Sequence, residues 1–181
     1  METIKGFFLN AKHWQIFVFL LVVPYAAEIV AIISWNIPVA MVLMAIQMLC
    51  WLGWYWSLGS FLSSLVTSKL RPKPGFFYFS LIYPIVYMPV FFFLAFKPGM
   101  ASGLAILPPH LLGMFCMFYV LHFVSKSLAM AETGKSVSFG DYAAPFFLLW
   151  FFPIGVWVLQ PKVNRMYSSL TNGEATFSER F

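Results

Sequence analysis

Charged side chains are scarce in this sequence, and their scarcity excludes an ordinary soluble domain. Only 9% of the 181 residues are Asp, Glu, Lys or Arg, whereas 61% are hydrophobic and 20% are aromatic. A soluble globular domain carries roughly 25% charged residues. The composition is that of an integral membrane protein, because the polar stretches between its apolar runs are too short to form a soluble domain with its own core.

Cysteine, histidine and catalytic motifs are equally sparse. Cys50 and Cys116 lie within apolar segments and form no Cys-x-x-Cys pair, so they predict packed thiols rather than a metal site or a disulfide framework. The three histidines supply no bis-His pair at a common depth for haem. No Ser-His-Asp order, glycine-rich phosphate loop or His-Glu-x-x-His run occurs. We therefore expect no cofactor, no metal and no enzymatic activity.

Five long apolar segments predict an all-α fold, a polytopic membrane helix bundle. We place the spans at about residues 14–34, 39–57, 76–96, 104–129 and 142–159, within one bundle that covers residues 1–166. Residues 58–67 alternate leucine and phenylalanine with serine at helical spacing, which predicts an amphipathic extension at the membrane surface. We expect the polar tail, residues 167–181, to be mobile.

The fifth segment leaves two alternatives open. Residues 142–159 make about 18 residues, near the lower limit for a hydrocarbon core of roughly 30 Å, and Pro153 and Gly155 lie near the middle. A helix kinked at Pro153 would cross the membrane, whereas a re-entrant hairpin turning there would need surrounding protein to satisfy its backbone. We favour the kinked span, although Lys162 and Arg165 would then follow it on the outer side, against the positive-inside rule.

The distribution of cations orients the chain. Through the first four spans Lys97 stands alone on one side, and the other side carries Lys5, Lys12, Lys69, Arg71, Lys73, Lys126 and Lys135. This asymmetry predicts a cytoplasmic N-terminus. The net charge is +5, and the cations lie at helix ends, where they suit anionic lipid headgroups. The sequence has no basic surface with interspersed aromatic residues, so we expect no nucleic-acid binding. The expected partners are membrane lipids and either another protein or further copies of the chain.

Glu28 is the only charged residue in the first predicted span. An acid within lipid costs a few kcal/mol, so its side chain should face protein or water. His110 lies at a matching depth in the fourth span, roughly 9 Å from the outer end. We predict that Glu28 and His110 form an intramembrane polar pair, with Tyr25, Gln47 and Tyr87 as supporting polar positions. The pair would be either a structural bridge or part of a proton or ion path.

Several short stretches carry a resemblance to a known group of proteins. They are Lys12–Gln15, Met114–Tyr119, Val137–Tyr142, Phe151–Trp157 and Gln160–Asn164. In these pieces the chain resembles a group of uncharacterised small multi-pass membrane proteins of bacteria. The resemblance implies a protein of the bacterial cytoplasmic (inner) membrane and no activity that can be named.

Three functions follow from these features, in order of preference. The first is an accessory or interaction protein, such as a subunit of a larger membrane assembly. The alternative is a small proton- or ion-coupled carrier, or an oligomeric pore, that uses Glu28 and His110. A membrane-embedded enzyme is the third. Water accessibility at Glu28 would separate the first two.

Overall fold

A computed structural model describes residues 2–95 and 103–171, and these residues form an all-α bundle. Within them lie seven helices and no strand: α1 (Glu2–Asn10), α2 (His13–Ile33), α3 (Ile37–Leu65), α4 (Gly75–Ala95), α5 (Gly103–Thr133), α6 (Phe139–Trp150) and α7 (Phe152–Thr171). In this part of the chain α2, α3 and most of α5 are long and apolar enough to cross a membrane, and α6 with α7 would make a fourth if counted as one broken span. The predicted helix bundle is confirmed.

Helix α2 contains an irregular turn that α3 stabilises. Val18–Val22 form a π-helical turn directly before Pro24, which has no N–H to donate to the carbonyl of Leu20. The side chain of Gln47 on α3 supplies a donor, with Nε2 3.4 Å from that oxygen. Gln47 therefore joins the two helices by satisfying a backbone group that lipid could not satisfy.

The C-terminal part of α3 corrects the prediction of an amphipathic surface extension. Leu58 and Leu62 are buried, but so are Gly59 and Ser63 on the other side of the helix. Helices α1 and α5 pack against α3, and the ring of Phe77 at the start of α4 lies directly on Gly59. The serines suit this setting because a small hydroxyl can bond to its own helix, as Ser63 does to the carbonyl of Ser60 at 3.2 Å.

Helices α6 and α7 meet at a sharp bend, and their contacts favour the re-entrant hairpin over the kinked span that we preferred. The chain changes direction by 119° between the two helices. Gly155 in the first turn of α7 lies so close to the carbonyl of Leu148 that no side chain would fit between them. Helix α7 then packs on α1 and on the start of α2, and Lys162 Nζ reaches Glu132 Oε1, near the end of α5, at 2.9 Å. The segment therefore returns to the end of the bundle from which α6 begins.

The hairpin also moves the boundary of the predicted C-terminal tail. Residues 167–171 belong to α7, and Tyr167 packs edge-on against Phe61 of α3 with ring centroids 5.4 Å apart. The structure therefore places residues 167–171 in a helix that Tyr167 anchors to α3. The rest of that prediction, at residues 172–181, lies outside the described residues, as does Lys97.

Cysteine labelling tests the direction of the hairpin. We expect Ser68→Cys and Ser168→Cys, both at exposed positions, to be modified from the same side of the membrane, and Trp35→Cys from the opposite side. Tyr167 contacts the C-terminal end of α3 whereas Trp35 precedes its other end, and 29 residues of helix span about 43 Å. Cys50 and Cys116 are first replaced by alanine. Modification of position 168 together with position 35 would restore the kinked span.

Candidate functional site

The structure does not bring Glu28 and His110 together, so the predicted pair is wrong. Nδ1 of His110 lies 3.1 Å from the hydroxyl of Tyr87, and Oε1 of Glu28 is buried with no hydrogen-bond partner. Within residues 2–95 and 103–171, no hydrogen bond or ion pair joins the two side chains. The reason is the order of the helices: α2 packs along α3, whereas α5 packs against α3, α4 and α6.

The predicted supporting positions separate in the same way. Tyr87 contacts His110 on α5, and Gln47 contacts Leu20 on α2. Tyr25 is 49% exposed and belongs to neither group. The five candidate residues thus give two separate polar contacts, one isolated acid and one exposed tyrosine, rather than a single site.

Glu28 lies in a sparsely covered part of the fold, residues 24–46, which we call the arm. The arm consists of the second half of α2, the turn at Trp35 and Asn36, and the first part of α3. Its only buried residues are Glu28, Ala31 and Ala40, while its leucine, isoleucine, valine and methionine side chains are exposed or only partly buried. The carboxylate is therefore buried between two helices that few other residues cover.

A cavity of about 500 Å³ lies between α3, α4 and α5, with Trp150 at the tip of the hairpin on its rim. Its walls are apolar and include Met48, Met88, Met114 and Met117. Tyr87 and His110 contribute the polar contact at one end. At the other end Tyr55 also lines the cavity, but its hydroxyl donates to the carbonyl of Leu149 at 3.4 Å.

A third polar group joins the two ends of the chain. Gln160 on α7 is fully buried; its amide nitrogen donates to the carbonyls of Phe8 and Ala11 at 2.7 and 3.1 Å, and its oxygen accepts from Trp54 Nε1 at 3.2 Å. One turn later Asn164 donates to the carbonyl of Ala11 at 3.1 Å. These bonds satisfy carbonyls at and just beyond the end of α1, where no helical N–H follows.

The sequence analysis missed this third group. The available signal was the spacing of Gln160 and Asn164 at i and i+4, which places two amides on one face of a helix. Nearby, Tyr142 and His122 meet across α5 and α6 with the hydroxyl 3.0 Å from Nδ1. In the part of the chain that the structure describes, no three His, Cys, Asp or Glu side chains gather as metal ligands would.

Over residues 2–95 and 103–171 the fold is an all-α helical bundle, with three to four helices long and apolar enough to cross a membrane. No protein-family model, curated protein or solved structure matches the chain.

Proposed function

We propose that the protein is an accessory subunit of a membrane assembly and that the arm is the part that binds a neighbouring membrane protein. One observation carries the proposal: Glu28 is buried in the arm, and Oε1 has no hydrogen-bond partner. The distribution of cations and the resemblance to small bacterial membrane proteins support a bacterial inner membrane, with the N-terminus in the cytoplasm.

An acid at this position is costly unless another group compensates it. Placing a charged side chain within a bilayer costs a few kcal/mol, and most buried polar atoms in native proteins have a hydrogen-bond partner. The buried neighbours that the arm offers are the methyl groups of Ala31 and Ala40, which donate nothing. A partner helix with a Lys, Arg, amide or hydroxyl side chain would supply the donor.

The shape of the arm also suits a close neighbour. Ala27, next to Glu28, is only partly buried, and small residues let the backbones of two membrane helices approach. The carrier alternative depended on Glu28 and His110 acting together, and the structure separates them. Because Glu28 lacks a partner within the arm, its burial favours a role in an assembly, where a neighbouring protein would supply one.

A photo-crosslinking amino acid tests the proposal in native membranes. Val30 on the arm is 64% exposed, and Val86 on α4 is a matched control at 62%. We expect the probe at position 30 to form a protein adduct of defined mass and the probe at position 86 to form none. Glu28→Leu should lower the adduct yield at position 30 by about tenfold, since a hydrogen bond to a charged group contributes about 1.5–3 kcal/mol.

Two outcomes would contradict the accessory role. Equal protein adducts at positions 30 and 86, or lipid adducts alone at both, would show that the arm has no special neighbour. An adduct containing two differently tagged copies of this chain would replace the accessory role with a homo-oligomer.

A further inference from the structure

We propose that the cavity between α3, α4 and α5 binds an apolar molecule whose head carries a carbonyl oxygen. A quinone with an alkyl tail and an acyl ester share this chemistry. The inference concerns a different part of the fold from the arm, and it does not depend on the proposed function.

The size and lining of the cavity suit such a ligand. Its volume of about 500 Å³ lies within the range of roughly 300–1,000 Å³ that small-molecule sites occupy. Trp51 and Phe118 provide flat apolar walls, and four methionines complete the lining. Methionine is unbranched and polarisable, so it adapts to ligands of irregular shape.

The contact between Tyr87 and His110 gives the cavity one polar end. If the Tyr87 hydroxyl donates to Nδ1 of His110, the imidazole carries its proton on Nε2, and this N–H is the free donor. If Nδ1 donates instead, the Tyr87 O–H is the donor that remains. In both tautomers of a neutral imidazole the pair keeps one uncommitted donor, which is the complement of a carbonyl oxygen.

Neighbouring contacts hold this polar end in place. The hydroxyl of Tyr83 donates to the carbonyl of Pro109 at 2.8 Å, and the Tyr83 and Tyr87 rings stack with centroids 5.6 Å apart. Both rings lie beside Gly113 of α5, where a Cβ would meet them at an ordinary contact distance of 3.6–3.7 Å. Two bonded tyrosines thus fix α4 to α5 beside the donor.

The opposite end of the cavity offers no such donor. The Tyr55 hydroxyl is committed to the carbonyl of Leu149, and Trp51 and Phe118 surround it with apolar surface. The cavity is therefore directional. A carbonyl head would lie at Tyr87 and His110, and the tail would extend towards Tyr55.

Binding of two radiolabelled probes to the purified full-length protein in nanodiscs, read by scintillation proximity, tests the site. The probes are a benzoquinone with a saturated alkyl tail and a fatty-acid methyl ester with the same tail. We expect saturable binding of at least one probe, and the probe that binds identifies the head. Tyr87→Phe combined with His110→Phe removes both possible donors and should weaken binding by up to about tenfold, because one hydrogen bond contributes about 0.5–1.5 kcal/mol. Met117→Trp should abolish saturable binding by filling the cavity.

Leu49→Trp is the matched control, because Leu49 on α3 is 50% exposed and lies outside both the cavity and the arm. It should bind the probe as the wild type does. Uptake of both probes that never saturates, or saturable binding that survives both the Tyr87→Phe/His110→Phe double variant and Met117→Trp, would overturn the proposal. The double variant keeps the test valid if Met117→Trp does not fold, because His110 is exposed and Tyr87→Phe removes only a hydroxyl group.

Discussion

Gly155→Ala is expected to prevent the α6–α7 hairpin from closing and to remove most of the folded protein from the membrane. A Cβ at this position would overlap the backbone carbonyl of Leu148, which cannot turn aside as a flexible side chain can. Overpacking typically costs about 1–3 kcal/mol, and a clash with backbone belongs at or above the upper end of that range. The measurements are the yield of monodisperse protein after detergent extraction and its melting temperature.

Gly140→Ala provides a control within the same hairpin. Gly140 lies in the first turn of α6, and a Cβ there would meet only the Ser138 hydroxyl, at 3.9 Å. Alanine favours helix over glycine by about 1 kcal/mol, so this variant should be neutral or slightly more stable. Equal yields and melting temperatures for the two variants would mean that Gly155 does not approach Leu148 in the membrane, as in a kinked span.

The hairpin shows where prediction from the sequence stops. The length and composition of residues 142–159 predicted an apolar helical segment that Pro153 would kink or break. In the structure Pro153 is the second residue of α7, a position that tolerates proline because its N–H would have no helical partner. Whether the chain turns there depends on what surrounds it. The contacts of α7 with α1 and α2 come from residues about 150 positions away, as in the bond from Gln160 to Phe8.

Helix positions could be predicted more closely than helix neighbours. Both ends of α2 and the start of α4 lie within one residue of the predicted spans, because a membrane helix needs a continuous apolar run. The equal depths of Glu28 and His110 did not predict contact, since depth says nothing about which helix lies beside which. The structure packs α3 against both α2 and α5, and the two residues bond elsewhere or not at all.

Gln160→Leu is expected to destabilise the protein by roughly 3–5 kcal/mol. Leucine is similar in size but neither donates nor accepts, so the Trp54 N–H and the Phe8 carbonyl would lose their partner inside the core. Each buried group left unsatisfied costs about 1–3 kcal/mol. The Ala11 carbonyl keeps its bond from Asn164, which limits the loss. Thermal unfolding in detergent measures the effect, and faster tryptic cleavage after Lys12 would show that α1 has detached.

A double-mutant cycle with Trp54→Phe establishes that the effect comes from this network. Trp54→Phe leaves the Gln160 oxygen without its donor, so once Gln160 is leucine the second substitution should cost much less than it does alone. Asn10→Ala is the control, because the Asn10 side chain is exposed and bonds only to Gly6 in its own helix; a change within about 0.5 kcal/mol is expected. Strictly additive losses from Gln160→Leu and Trp54→Phe would show that the two side chains do not interact. The attachment of α7 to α1 would then depend on apolar packing alone, such as that of Leu9 and Val163 in the common core.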